Sequence, residues 1–529
     1  MRAVFILLVI TLCLSAAPTL AQVYPAHILL DDLPAGIPIT TDAEFSRDIL
    51  FADFDGQLGL DVLIANLDQD NSLYFNNGDG TFSRYTSATD AVSHDGGNSR
   101  GLAVADLEPD GDLDIFVCNS SMQLNFLYTN NGDGTFTKVT TGAVATDIAN
   151  SRHARFFDAN GDDYPDLFVA NFNGQDNQLY LNRADGSGVL DKVVDALNDA
   201  VHDGGVSYDC TVADIDGDND MDLFVSNHDG VPGGLGTVNF LYKNDGHGRF
   251  TRVLGRPIAT DVAKSLGCAF GDYDNDGDAD LYVANDELTK NNLYENDGDG
   301  NFTPITTGPL VQGSLDSISC AWFDVDGRNG DDLFVSNRHF GMNQLFMNNG
   351  RGGGFGLDRQ PFGPLVGDGG DSYGFAFGDL DGDSLPDVGV ANLGRKNAYY
   401  RNDGPQWVNE GSALNGSQGK PTLNGAGTLM PLTLVSMMVE LGPSDSQAFL
   451  VVGFSAVFQP FKGGVMVPDL LAPSRIFPVS LNHLGRGEAA GRFPDAFPSG
   501  LTLFAQAWMP DGAAVAGWSS SNALSMTTP

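Results

Sequence analysis

The feature that most constrains this chain is a short acidic stretch that appears seven times. Its second copy reads Ala105-Asp106-Leu107-Glu108-Pro109-Asp110-Gly111-Asp112-Leu113-Asp114-Ile115-Phe116-Val117. The copies start at Asp53, Asp106, Asp158, Asp214, Asp272, Asp324 and Asp379, so successive starts lie 53, 52, 56, 58, 52 and 55 residues apart. Each sets oxygen-bearing side chains at positions one, three and usually five, a carboxylate at position nine, and then an apolar run. Self-similarity at so steady a period means seven copies of one structural unit.

The unit reads as four short strands. In the second copy Arg100 to Ala105 enters the acidic stretch and Asp114 to Cys118 leaves it. Asn125-Phe126-Leu127-Tyr128 opens a third strand, Asn131-Gly132-Asp133-Gly134 turns the chain, and Thr135 to Val139 forms the fourth. Asn-Gly and Asp-Gly pairs between β-rich runs are strong hairpin signals. Four antiparallel strands per repeat describe a propeller blade, so the chain is expected to be all-β, a seven-bladed β-propeller. Two further registers tie the copies together. Seven residues before the first loop aspartate stands a serine: Ser46, Ser99, Ser151, Ser207, Ser265, Ser317 and Ser372. Thirteen residues after it stands an asparagine: Asn66, Asn119, Asn171, Asn227, Asn285, Asn337 and Asn392. Side chains of this kind satisfy loose backbone groups at strand ends, and the registers read as structural.

The acidic positions are candidate metal ligands. They are Asp53, Asp55 and Asp61 in the first loop and Asp106, Glu108, Asp110 and Asp114 in the second. The third offers Asp158, Asn160, Asp162 and Asp166, and the fourth Asp214, Asp216, Asp218 and Asp222. The last three offer Asp272, Asp274, Asp276 and Asp280, then Asp324, Asp326 and Asp332, then Asp379, Asp381, Asp383 and Asp387. Oxygen ligands crowded this closely suit a hard cation of flexible coordination, and calcium fits better than zinc or magnesium. An EF-hand would need a glutamate at position twelve and flanking helices. In the fifth loop that place is Val283, inside the strand-like Leu281-Tyr282-Val283. Position five is Gln57 in the first loop and Arg328 in the sixth, and a guanidinium cannot ligate calcium. Up to seven calcium ions are expected, with the Asp324 loop weakest. Their role should be structural, because each loop fills its own ligand positions and clustered buried carboxylates without metal are costly.

The formal charge is −42, and 25 of the carboxylates sit at those loop positions. Seven calcium ions would return +14 and leave about −28. That remainder argues against nucleic acid or an anionic membrane surface as partner. Residues 1–21 read as a secretory signal: Arg2, the apolar run Ala3 to Leu14, and Thr19-Leu20-Ala21 ahead of Gln22. No later stretch is apolar for long enough to span a bilayer, so an exported protein is expected. Cys210, Cys268 and Cys320 each stand four residues before a loop aspartate. Equivalent positions in adjacent repeats are too far apart to bridge, so these cysteines, and Cys118 with them, are expected to be buried thiols.

These residues resemble the FG-GAP repeats, also called VCBS repeats, of the integrin-α-type β-propeller. Matching segments include Asp216-Gly217-Asp218-Asn219-Asp220, Asp222-Leu223-Phe224-Val225-Ser226-Asn227 and Asn291-Asn292-Leu293-Tyr294, and the resemblance spans 44–404. It implies calcium in the hairpin between the first and second strands of each blade. It does not imply one activity, since that family includes adhesion ectodomains, carbohydrate-binding proteins and appendages of enzymes.

The expected domains are the signal at 1–21, the propeller at 22–404, a Gly-rich linker at 405–421 and a β-sandwich at 422–529. The run Ile28-Leu29-Leu30, within His27 to Asp31, is expected to supply the last strand of the seventh blade, with Trp407 as the rival. Closing the ring with both chain ends leaves no open edge. In the C-terminal part strand-like runs occupy Leu432 to Glu440, Ala448 to Phe454, Ser474 to Ser480, Leu501 to Trp508 and Ala514 to Ser519. Its ending, from Ser521 to Pro529, resembles C-terminal β modules of large secreted bacterial proteins.

No serine elbow, His-Glu zinc helix or phosphate loop is present. His94-Asp95-Gly96-Gly97 and His202-Asp203-Gly204-Gly205 read as turns. The residue after each serine of the register forms a more telling set: Arg47, Arg100, Arg152, Tyr208, Leu266, Ile318 and Tyr373. Three arginines from adjacent blades beside two tyrosines would gather at one mouth of the channel, as a pocket for an acidic sugar or a carboxylate. The plainer reading, preferred on sequence alone, pairs each arginine with a loop aspartate such as Asp95. The expected function is a binding or adhesion module for extracellular polysaccharide or a surface protein. A propeller-scaffold lyase or hydrolase and a purely structural surface spacer are the rivals.

Overall fold

The computed structural model describes residues 30–32 and most of 43–402, the exceptions being 58, 79–80, 87–91, 232, 313–314, 326–329, 340, 349–354, 357–370 and 381–385. Farther on it describes 408–411, 422–426, 434–440, 447–453, 456–461, 464–468, 474–481, 487–492, 502–511 and 518–527. The expected signal segment and His27 to Leu29 lie outside these residues. Leu30–Asn402 form one compact unit, and the residues from Asp403 onward belong to a second.

The chain is all-β. Each acidic stretch lies between two antiparallel strands, with a third and fourth hairpin partner following. In the third repeat the strands are Ser151–Phe157, Asp166–Asn171, Gln178–Asn182 and Leu190–Lys192, paired in that order. The second strand is buried at every position in repeats two to six, for example Asp222–Asn227. A strand covered on both faces needs a continuous apolar run, and Leu223-Phe224-Val225 supplies one. The cores accordingly lie between successive repeats: Phe168 and Leu179 of the third pack with Leu223, Val225 and Tyr242 of the fourth. Cys118, Cys210, Cys268 and Cys320 are free thiols inside these layers.

The first strands meet one another around a ring. They are Ala43–Ala52, Gly97–Ala105, Ser151–Phe157, Ser207–Ala213, Ser265–Gly271, Ser317–Phe323 and Ser372–Gly378. Each contacts the next in chain order, and the seventh contacts the first. The seventh repeat has three strands of its own, ending at Ala398–Asn402. Leu30–Asp32 pairs antiparallel with Tyr400–Asn402 as its outer strand. The alternative, Trp407, lies outside the described residues, and the neighbouring Val408–Gly411 pairs with Ala523–Ser525 of the second unit.

Hydrogen bonds from side chains fasten the repeats at both ends of the strands. Each register serine donates through Oγ to its partner asparagine Oδ1 at 2.8–3.1 Å, from Ser46–Asn66 to Ser372–Asn392. A second asparagine then carries the link to the next repeat. Asn125 donates to Ser151 and Asn177 to Ser207, and Asn397 closes the circle by donating to Ser46 at 3.0 Å. At the other end, Asn130 Nδ2 donates to the Phe54 carbonyl of the preceding repeat, and Asn76 Nδ2 reaches the Leu380 carbonyl of the seventh at 2.8 Å. Buried polar groups paired in this way add specificity to an otherwise apolar interface.

The second unit contains a five-stranded sheet in the order Val408–Gly411, Trp518–Thr527, Thr502–Pro510, Gln447–Gly453, Ser474–Ser480. Thr422–Ala426, Leu434–Glu440 and Gly487–Arg492 form a three-stranded sheet, and Ala456–Phe461 pairs with Gly464–Pro468. Residues 405–421, expected as a linker, thus contribute an edge strand. Their Gly-rich composition concealed Val408-Asn409-Glu410, which finds backbone partners only across more than a hundred residues of chain. Among the described residues no helix is long and apolar enough to cross a membrane.

Candidate functional site

Each of the first five acidic loops is first a self-organised turn. The carboxylate at position one accepts backbone N–H groups from farther along the loop. Asp158 takes Gly161 at 2.7 Å and Asp163 at 2.8 Å, and Asp214 takes Gly217 and Asn219. Position five repeats the device: Asp218 accepts from Asp220 and Asp276 from Asp278. This folding of the loop turns the carboxylates toward one point. Oxygens of Asp214, Asp216 and Asp218 lie within 4.8 Å of one another, as do those of Asp272, Asp274 and Asp276, and those of Asp53, Asp55 and Asp61. Asp216 Oδ1 and Asp274 Oδ1 are buried with no hydrogen-bond partner. An all-oxygen donor set with orphaned buried oxygens fits calcium. Lys243 bridges to Asp216 and partly offsets the charge of the fourth loop.

Position nine has a second duty that the sequence did not reveal. In the fifth loop Asp280 accepts Tyr273 N–H on Oδ2 and Asn296 N–H on Oδ1, both at 2.8 Å. The same pair of bonds recurs at Asp61, Asp114, Asp166, Asp332 and Asp387. Asp222 likewise accepts Asn244 N–H. These carboxylates fix the loop to its own third strand, and Asp61 also belongs to its loop's acidic cluster. Burial pushes Asp61 up to about 6, and Asp166, Asp222 and Asp280 up to about 7. Burial and a hydrogen bond with Asp114 push Glu108 to about 8. A bound divalent cation would reverse this drift toward neutrality. Asp106, Asp110, Asn160 and Asp162 stand in their loops as the spacing predicts. In the last two loops Asp324 and Asp379 are at position one, while Asp326, Asp381 and Asp383 lie outside the described residues.

The register after the serines is brought together in full. Arg47, Arg100, Arg152, Tyr208, Leu266, Ile318 and Tyr373 line one cavity of about 490 Å³, its open mouth included. The cause is a β-bulge repeated around the ring. Pairing of the first strand with the second skips a residue between Ser46 and Asp48, Ser99 and Gly101, Ser151 and His153, Ser207 and Asp209, and so on. A bulge re-aims the residues it holds, so the next position turns inward too. Asp48, His153, Asp209 and Ser319 therefore join the lining. Glycines alternate with them: a Cβ on Gly374 would stand 2.5 Å from Asp48 Oδ1.

The pocket has a charged floor and a basic wall. His153 Nδ1 lies 2.7 Å from Asp209 Oδ1. Burial alone would lower the imidazole, but the Asp209 charge and the hydrogen bonds to Asp209 and Cys210 together outweigh it and hold His153 up at about 10. Burial likewise works to raise Asp209, yet His153 draws it below the ordinary carboxylate value. Burial lifts Asp48 to about 6 even though it accepts Ile49 and Leu102 N–H groups. On the wall, the Arg47 guanidinium stacks 3.9 Å over the Tyr373 ring and Arg152 stacks 4.3 Å over Phe172. Arg100 donates to Ser120 Oγ at 3.1 Å, and burial lowers it to about 10 with Arg152 and Arg47 adding repulsion. The pairing preferred on sequence fails: Asp95 accepts from Tyr128 Oη and from Lys138 Nζ, and so is committed to the outer strands.

Five segments, 53–117, 110–169, 158–225, 234–283 and 272–335, match the FG-GAP-like repeat, and together they cover just over half of the sequence. The chain belongs to the FG-GAP-like repeat family. No curated protein matches it by sequence. Among solved structures it is similar to the Dos1 propeller, at 11% identity over 70% of this chain and 94% of that one, TM-score 0.39. It is also similar to an exo-β-1,3-galactanase from Phanerochaete chrysosporium, at 12% identity over 73% and 98%, TM-score 0.29. A third is the V. cholerae biofilm matrix protein Bap1, at 9% identity over 95% and 70%, TM-score 0.26.

Within this FG-GAP-like chain the remaining polar motifs fall into structural places. Asp203 accepts from Tyr242 Oη and Asn177 Nδ2, both at 2.7 Å, so the His-Asp-Gly-Gly turns serve to pin outer strands. Asn119, which heads an Asn-x-Ser triplet, is fully buried and bonded to Ser99. Two registers escaped the sequence reading, the asparagines that open the third strand and those that end it, such as Asn125 and Asn130. Their constancy in all seven repeats was the available signal, masked by asparagine's commonness in turns.

Proposed function

We propose that this chain is an exported seven-bladed propeller with a C-terminal β-sandwich. In this reading it acts as a binding or adhesion module for extracellular polysaccharide or a surface protein. The observation that carries this is the central pocket, a concave site to which every repeat contributes the residue displaced by the same bulge. Concave, mostly preformed sites with a few convergent polar groups are where ligands bind.

Calcium is proposed as the structural partner, held by positions one, three and five of the loops together with the carboxylate at nine. Bound there it would supply positive charge that lets clustered carboxylates stay ionised. The chain's own groups do the rest. Asp272 and its counterparts wind the loop, and Asp280 and its counterparts clamp it to the third strand. Asn296 then donates to the Ile215 carbonyl of the preceding loop at 2.9 Å, so each loop steadies its neighbour. Catalysis is less well supported. His153, the histidine at the pocket floor, lies 2.7 Å from Asp209, a pairing that favours its charged form over the neutral imidazole a general base needs.

A glycan array probed with and without calcium tests the reading, followed by turnover assays on any hit. Calcium-dependent retention of a glycan without turnover is expected. Turnover of a hit favours the lyase or hydrolase alternative, and an array and a surface-protein screen that both stay blank leave a structural spacer.

A further inference from the structure

The proposed binding role leaves open what kind of ligand the pocket takes, and the side chains bear on that. Three guanidiniums from consecutive repeats converge on one cavity of a chain whose formal charge is −42. None of the three forms an ion pair with a carboxylate among the described residues. Arg47 Nε and Arg152 Nε are buried with no hydrogen-bond partner, and Arg100 has Ser120. The acids of the floor are committed elsewhere: Asp48 to backbone N–H groups, Asp209 to His153 and to Cys268 N–H. Like charges held together without a counter-ion are unfavourable, and burial makes them more so. Stacking on Tyr373 and Phe172 fixes the planes of Arg47 and Arg152 in advance, which lowers the entropy lost on binding.

We infer that this pocket is a carboxylate-binding site, in which Arg47, Arg100 and Arg152 grip the anion while Tyr208 and Tyr373 flank the body that bears it. Guanidinium forks match a carboxylate's two oxygens. A bare inorganic anion would make no use of the opposite wall, where Leu266 and Ile318 continue the surface beside the tyrosines. The carboxylate could come from a uronic acid unit of a polysaccharide or from a free organic acid. This inference deepens the binding-module reading and rests on it for the ligand's biological source.

The test is isothermal titration calorimetry of the full chain in calcium with sodium glucuronate, glucose, sodium acetate and inorganic phosphate. Saturable glucuronate binding at least about tenfold tighter than glucose is expected, weakened by at least about tenfold in R100A. Glucuronate tighter than acetate points to a uronic acid, and the two equal point to a free organic acid. Either outcome supports the site. No saturable heat with glucuronate or acetate, or phosphate binding tighter than both, overturns it. Should R100A melt early, R100K, which keeps the charge and loses the fork, is expected to show the same direction of loss. Unchanged affinity in a folded variant overturns the assignment. A glycan array with hits beside a blank carboxylate titration sinks this inference alone. A titration that succeeds beside a blank array sinks the polysaccharide reading alone.

Discussion

Asp280 and Asp274 sit six residues apart in one loop and should answer differently to the same substitution. Asp280 holds two backbone N–H groups. Asp274 has a buried oxygen with no partner at all. Asp280→Asn replaces one acceptor with a donor facing an N–H, and such a clash costs about 1–3 kcal/mol. It should lower the melting temperature in calcium and in chelator alike, whereas Asp274→Asn should lower it only in calcium. A pair of melting curves for each variant decides this. The sequence showed all four acidic positions as equals. It could not show the division of labour, because one of position nine's partners, the Asn296 N–H, comes from a strand that pairs into place only after folding.

His153 carries a pH signature of its own. Its folded value of about 10 lies above the ordinary ~6.5 of a histidine, so its stabilising contribution is complete below that value. The contribution is lost as pH rises through about 10. Asp209 faces it as anion, Asp48 and Arg155 are the other charged groups acting on this buried corner, and Asp209's own contribution disappears only on acidification. Between pH 7 and 10 the native chain should therefore lose stability that His153→Gln never had, and the difference between their melting temperatures should shrink. A constant difference across that range contradicts the buried ion pair.

Among the elements, the first strand was legible in place and missed in parity. Period-two alternation puts Arg47 and Asp48 on opposite faces, and the bulge puts both in the channel. No residue of Ser46-Arg47-Asp48 announces a bulge, since the extra residue is set by pairing with Asn66 across the hairpin. The strand that closes the seventh repeat, by contrast, was found by counting, because a missing partner is visible as an arithmetic gap. Closure itself depends on a few buried bonds. Asn397 accepts Asn392 N–H at 2.8 Å and donates to Ser46. Asn397→Ala removes the acceptor of the Asn392 N–H and the bond across to Ser46, which keeps Asn66, and an unfolding loss of about 1–3 kcal/mol is expected by denaturant titration. The loops should also rank. Asp324→Asn should reduce the calcium-dependent gain in melting temperature less than Asp272→Asn does, since Arg328 occupies a ligand place in the sixth loop. Tight calorimetric calcium binding that depends on Asp324 would contradict that order.

At the scale of the whole molecule, repetition made the fold readable and function hard to read. Seven copies of one pattern average away local accidents, so strand order, core positions and buried cysteines follow from the period alone. The pocket at the ring's centre uses registers in which the copies differ, and divergence within a repeat is harder to recognise than agreement. The central claim is that acidic hairpins hold divalent ions and that those ions keep the ring rigid. Thermal unfolding of the purified chain in calcium and after exhaustive chelation tests it most directly. A site filled at a hundred times its dissociation constant adds about 2.7 kcal/mol, so several together should raise the melting temperature by more than about 10 °C. Superimposable melting curves with and without chelator would contradict the account.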